Sequence, residues 1–148
     1  MTPKRKIRPK QETLDRLRDK LTPKVGLINS QSKRDLQFEL LTLVNPTNER
    51  KIRAGVSYLQ AGLKANGEET DPLLIVSDLK DGGYFIFGTD QEFWDYIADQ
   101  ESRIAFISYK VERMKKEFYR QKQITLTEQL AIEEELRRRR SEQLRLGI

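Results

Sequence analysis

The chain has 148 residues, 36% of them apolar and 34% charged, where a charged share of about 25% is usual. That is enough chain for one domain with a thin core. It contains no His and no Cys, which excludes disulfides, imidazole- or thiolate-held metals, His general bases and Cys nucleophiles. Lys and Arg number 28 against 23 Asp and Glu, and the whole excess of +5 sits in the first ten residues, where Lys4, Arg5, Lys6, Arg8 and Lys10 meet no acidic group.

The remainder is neutral in sum but divided by sign. Met1 to Lys64 carries 15 basic and 6 acidic residues, Ala65 to Tyr109 carries 2 and 10, and Lys110 to Ile148 carries 11 and 7. Blocks of opposite potential can steer a polyanion or dock one copy against another. No apolar stretch follows the basic start, and none approaches the ~18 residues a membrane span requires. The expectation is a soluble intracellular, cytoplasmic protein with no membrane contact.

In chain order, residues 1–10 form a basic arm bracketed by Pro3 and Pro9. A short helix is expected over Glu12 to Leu21, with Leu14, Leu17 and Leu21 on one face and Pro23 beyond it. Val25 to Gln31 reads as a connector. Ser32 is a candidate N-cap for a helix from Lys33 to Val44, with Asp35 near the positive end of its dipole. Leu36, Phe38 and Leu40 alternate like a strand there, while Leu36, Leu40 and Leu43 fit a helix, and helix is preferred. Asn45-Pro46 then caps a helix whose seam is Ile52, Val56, Leu59 and Leu63, ending at Asn66-Gly67. Ala54, Gly55, Ala61 and Gly62 beside that seam allow another element to approach closely.

Residues 11–67 thus form a helical body, and 68–88 an acidic linker followed by a β-hairpin. Leu73 to Val76 and Tyr84 to Phe87 are its strands, with Asp81-Gly82-Gly83 between them. Two strands alone are marginal in water, so the hairpin must pack on the helices or extend a sheet. From Thr89 to the end, Thr89-x-x-Glu92 is a capping box opening a long segment without Gly or Pro until Gly147. Phe93, Ile97, Gln100, Ile104, Ile107, Val111, Met114, Phe118 and Gln121 follow at alternating steps of four and three, the a/d seam of a coiled coil. One helix from Asp90 to Lys122 would span about 50 Å, longer than a 100-residue domain is wide at roughly 26 Å. Thr125-x-x-Glu128 offers a second start, so residues 89–148 are either one arm or a helical hairpin carrying Leu126, Leu130, Ile132, Leu136 and Leu144. The fold class is mainly α, α+β only by virtue of a single β-hairpin.

The candidate nucleic-acid contacts are Lys4, Arg5, Lys6, Arg8 and Lys10 in the arm, Arg113, Lys116 and Arg120 on the long helix beside Lys110, and the run Arg137, Arg138, Arg139 and Arg140. Basic groups along an extended arm or one helix sector can neutralise successive phosphates, with Tyr109 and Tyr119 as stacking partners. The same residues suit a solvated helix. Four consecutive arginines point in all directions, and Glu133 to Arg137, Glu134 to Arg138 and Glu135 to Arg139 are supporting i,i+4 pairs. The candidate protein interface is the seam itself: Phe93, Ile97, Ile104, Ile107, Val111, Met114 and Phe118. Phe93, Trp94 and Tyr96 are expected to pack against the hairpin aromatics.

Catalytic signals are weak. Ser77-Asp78-Leu79-Lys80 after an apolar strand imitates the Asp-x-Lys of a Mg²⁺-dependent nuclease, but Asp71, Glu68 and Glu69 are poorly placed to supply the second acid, and Asp78 and Asp81 better suit a turn. There is no phosphate-binding glycine loop, no metal cluster, no cofactor signature and no evident small-molecule substrate site. The sequence therefore suggests a non-catalytic basic subunit binding RNA or DNA phosphates within a larger nucleoprotein assembly. The alternative is a structural protein, a virion, scaffold or coiled-coil component, that acts by protein contacts along the helical seam.

Overall fold

The computed structural model describes residues 8–145. They are mainly helical, with one two-stranded antiparallel hairpin, in the order α1 (Gln11–Leu21), α2 (Lys33–Leu41), α3 (Pro46–Ala61), β1 (Ile75–Ser77), β2 (Tyr84–Ile86), α4 (Asp90–Lys122) and α5 (Leu126–Arg145). They divide into two compact units between Tyr96 and Ile97. The hairpin falls in the first unit together with α1, α2 and α3.

The first unit holds the core. Leu14, Leu17 and Leu21 of α1 meet Leu36 and Leu40 of α2 and Ile52, Val56 and Leu59 of α3, and Ile75 and Tyr84 of the hairpin close the cluster. These are the helical spacings expected for α1 and α3. They also settle α2 as a helix, since Phe38 is exposed while Leu36 and Leu40 are buried. Gly55 lets α1 pack close on α3, where a Cβ would press on Leu17 Cδ1.

Two helices end earlier than their patterns suggest. Instead of running to Val44, α2 stops at Leu41, with Thr42 in a left-handed conformation at φ 60°. The reason is a buried amide pair. Gln37 Oε1 accepts from the Asn45 N–H at 3.1 Å and Asn48 Nδ2 donates to the Leu43 carbonyl at 2.8 Å, pinning the corner into α3. The end of α3 is Gly62, not Asn66-Gly67. Gly62 adopts φ 70°, its N–H donates to the Leu59 carbonyl, and the Leu63 N–H donates to the Tyr58 carbonyl at 2.9 Å, the paired bonds of a Schellman motif.

The strands are also shorter and shifted, pairing Ile75 with Ile86, Val76 with Phe85 and Ser77 with Tyr84. The expected connector supplies the hairpin's missing support. Val25 bridges to Ile86 and Gln31 bridges to Tyr84, so both ends of the segment around a 3₁₀ turn at Leu27–Asn29 lie along β2. Asp78 begins the hairpin turn, accepting from the Lys80 N–H at 3.0 Å through its carboxylate and from the Gly82 N–H at 2.8 Å through its carbonyl. Its role in the turn accounts for the Asp-x-Lys spacing.

The glycine at the end of α3 is constrained twice over. Beyond its left-handed φ, a Cβ at Gly62 would run into the Thr70 carbonyl oxygen, whose own residue's N–H donates to the Gly62 carbonyl at 2.8 Å. Gly67 has φ 86° but open space around it. Gly62→Ala should therefore lower the unfolding free energy by about 3 kcal/mol, and Gly67→Ala by only about 1 kcal/mol for the left-handed backbone alone. Urea denaturation of both variants measures the difference.

Candidate functional site

The candidate site is the long helix α4, and its start is firmly anchored within the first unit. Glu92 N–H donates to Thr89 Oγ1 at 3.2 Å and Thr89 N–H donates to Glu92 Oε1 at 2.9 Å, completing the expected capping box. The Glu92 carboxylate also accepts from Gly88 N–H at 2.8 Å and, across the fold, from Leu27 N–H at 3.0 Å. Burial alone would raise the Glu92 carboxyl, and the backbone N–H groups of Gly88, Leu27 and Thr89 outweigh it, holding the group below its usual value. The sequence showed the local cap but not the bond to Leu27. Phe93 packs on Phe87 with ring centroids 5.6 Å apart, as expected of the hairpin aromatics. Gln60 Nε2 donates to both the Ile75 carbonyl and Tyr96 Oη at 2.8 Å, joining α3, β1 and the first turns of α4.

The second unit is different in kind. Every residue from Glu101 to Met114 is exposed, so solvent reaches α4 on all sides there. The apolar seam is exposed with them. Ile104 and Met114 are about two-thirds exposed at 64% and 65%, and Ile107, Val111 and Phe118 lie between 43% and 52%. Of the seam residues named from the sequence, Phe93 and Ile97 are half-buried, and the bare stretch runs from Ile104 to Phe118. Phe106, which the heptad pattern passes over, is also 64% exposed and carries Lys110 Nζ 5.8 Å from its ring centroid.

The break after α4 yields a second helix, not a continuous arm. Gln123 takes φ 52°, the Ile124 N–H donates to the Tyr119 carbonyl, and Thr125 Oγ1 accepts from the Glu128 N–H at 3.2 Å. The helix turns back onto the last turns of α4, where Glu133 accepts from Lys115 Nζ at 2.9 Å and from Tyr119 Oη at 3.0 Å. Hydrogen bonds from Lys115 and Tyr119 hold the Glu133 carboxyl below its usual range, and those to Glu112 and Glu133 raise Lys115. This contact lies on a flank of α4 and leaves the seam open.

It also corrects one expectation, because Glu133 serves α4 and leaves Arg137 to Glu134 at 3.6 Å. Arg138 pairs with Glu135 at 2.7 Å rather than with Glu134, and Arg139 pairs with Glu135 at 3.2 Å as anticipated. Arg120 is held by Glu117 at 2.6 Å. Arg113 stacks 5.8 Å over Tyr109, and Lys116 and Arg140 are exposed.

Lys4, Arg5 and Lys6 lie outside the described residues. Arg8 and Lys10 are exposed and line a groove with Arg16, Lys51, Glu12 and Leu41. Arg16 also donates to the Leu40 carbonyl at 2.8 Å. Among the described residues no acidic cluster could hold a metal ion, and no helix is long and apolar enough to cross a membrane.

No family model matches this chain, and comparison with curated proteins and with solved structures gives no match.

The Glu92 anchor has a pH signature. A carboxyl held low in the folded state contributes stability that is fully present above its ordinary value near 4.5 and is lost as pH falls through the lowered one. Glu92→Gln should cost about 1 kcal/mol at neutral pH. Urea titrations at pH 7 and pH 3 should show the gap between wild type and variant narrowing in acid.

Proposed function

We propose that the chain is a non-catalytic assembly subunit that joins copies of itself through the seam of α4. The observation that carries this reading is the bare apolar line Ile104, Ile107, Val111, Met114 and Phe118 on a helix that is exposed all round from Glu101 to Met114. A helical stretch without tertiary packing is marginal at this length, because most helix stability in proteins comes from burying an amphipathic face. Fully burying one such side chain contributes about 1.5–3 kcal/mol, and roughly half of each remains to be buried here. Pairing the seam would stabilise the helix and remove the apolar line from water together. The first unit would then be the body that the seam gathers into an assembly.

Self-association should appear in sedimentation equilibrium as a concentration-dependent species of at least two chains. Ile107→Asp combined with Val111→Asp should shift it to monomer and lower the far-ultraviolet helical signal. A wild-type chain that stays monomeric at about millimolar concentration overturns the reading.

A second reading, phosphate-backbone binding, is favoured by one specific observation. Arg8, Lys10, Arg16 and Lys51 converge on one groove, and among the described residues none of the four is in an ion pair with an acidic side chain. Lys4, Arg5 and Lys6 precede Arg8 closely in the sequence. If it tracks phosphates, affinity for a single-stranded or duplex oligonucleotide should fall steeply with salt, and Arg8→Ala, Lys10→Ala and Lys51→Ala together should reduce the slope by about two to three. Fluorescence anisotropy at 50 and 200 mM salt measures both. An unchanged slope removes the groove from consideration.

A further inference from the structure

We infer that the copies pair antiparallel, with the two-fold axis between Glu112 and Arg113, so that Ile107 faces Phe118 of the second copy and Val111 faces its Met114. The inference rests on the self-association proposed above and adds its direction and register. In an antiparallel pair each a position meets a d position, and the flanking charges meet g to g and e to e. With Ile97, Ile104, Val111 and Phe118 at a and Gln100, Ile107, Met114 and Gln121 at d, the flanks are fixed by the sequence. The g line reads Arg103, Lys110, Glu117, and the e line reads Glu101, Ser108, Lys115, Lys122.

This register overlaps residues 104–121, the bare stretch of the seam together with its last polar step. Its central layers, Ile107 with Phe118 and Val111 with Met114, are wholly apolar and occur twice by symmetry. Ile104 meets Gln121 at each end, where water reaches the amide.

The flanks then match in sign. Lys110 meets Glu117 of the other copy and Glu101 meets its Lys122, each pair twice, with no like charges opposed. Among the described residues Glu101, Lys110 and Lys122 are not in intramolecular ion pairs, whereas Lys115, which here meets only Ser108, is already held by Glu112 and Glu133. Three of the four charges this register uses are thus left free within the chain, and the fourth, Glu117, also holds Arg120 at 2.6 Å.

The alternatives fit less well. A parallel in-register pair sets Lys110 against Lys115 of the other copy twice and gains only the two Glu117 to Lys122 pairs. An antiparallel pair shifted by one heptad, with its axis at Tyr109, gains Arg103 to Glu117 and Glu101 to Lys115 twice each, but it puts Lys110 against Lys110 and draws on Arg103 and Lys115, which Asp99, Glu112 and Glu133 already hold. Like charges directly opposed are destabilising in either case.

The test is carried out on the full chain, which has no native Cys, so a single introduced thiol is unique. Spin labels on Ala98→Cys and, separately, Ala105→Cys sit at the same heptad position on exposed sites. In the antiparallel register the two labels of a dimer are separated along the axis by about 44 Å at position 98 and about 23 Å at position 105, from a rise of 1.5 Å per residue. A parallel pair gives one short distance at both positions. Equal distances overturn the antiparallel inference while leaving self-association intact, and the absence of any inter-chain distance overturns both.

Charge reversal gives an independent sign. Lys110→Glu should weaken the antiparallel dimer by roughly tenfold, and adding Glu117→Lys should restore it, whereas a parallel pair would be tightened by Lys110→Glu because it removes the clash with Lys115. Tightening by the single variant overturns the inference.

Discussion

The constraint on which the second unit depends is that α4 cannot bury its own apolar seam. A helix of 33 residues presents more apolar length than the residues after it cover. The polar contact of α5 through Glu133 to Lys115 and Tyr119 is made on the flank of α4. Ion pairs within one turn, such as Arg103 with Asp99 at 2.9 Å and Arg120 with Glu117, support the helix only weakly at exposed, solvent-screened sites. They can bias the backbone towards helix, but they leave Ile104, Ile107, Val111 and Met114 in water.

The first unit solves the opposite problem. Its chain is short and heavily charged, yet it closes a core by placing leucines of α1, α2 and α3 at helical spacing and by letting Gly55 bring α1 close to α3. The buried polar groups at its corners are satisfied: Gln37 and Asn48 each bond to backbone at the turn between α2 and α3, as groups withdrawn from water must be. Glu92 extends the same economy to the start of α4, where a single carboxylate serves the cap and the segment before α2 together. The start of the long helix is therefore fixed by a compact body, while its middle is exposed.

Much of this was legible in the residues, and the failures have physical causes. The capping boxes at Thr89 and Thr125, the Asn45-Pro46 start and the leucine faces carry their geometry in local chemistry, so the elements they open were visible. Helix ends were harder. The end of α2 depends on Gln37 reaching the Asn45 N–H, and the end of α4 on Gln123 holding a left-handed φ that costs a non-glycine residue about 1 kcal/mol. Neither shows as a breaker in the sequence. For α3 two glycines competed, and Gly62 prevailed over Gly67 because only there can the chain turn so tightly that Thr70 packs against it. The connector's bridges to β2 and the Leu27 bond to Glu92 link residues more than fifty positions apart, beyond the reach of any local pattern. At the candidate site, the heptad line itself was readable, but whether water or protein covered it was a question of tertiary structure.

The charge map acquires a different meaning once the exposure of each group is known. An excess of basic residues on α4 and α5 suggests a polyanion, yet Arg120 and Arg137 to Arg139 are drawn into contacts with their own glutamates, which lowers the positive potential they can offer a phosphate. Arg8, Lys10, Arg16 and Lys51 of the first unit keep theirs. An exposed apolar seam and a groove of cations unpaired among the described residues thus belong to different units, the seam on α4 and the groove beside α1. If copies join through α4, each assembly carries two such grooves, and a polyanion long enough to reach both would gain avidity from the geometry without any new contact.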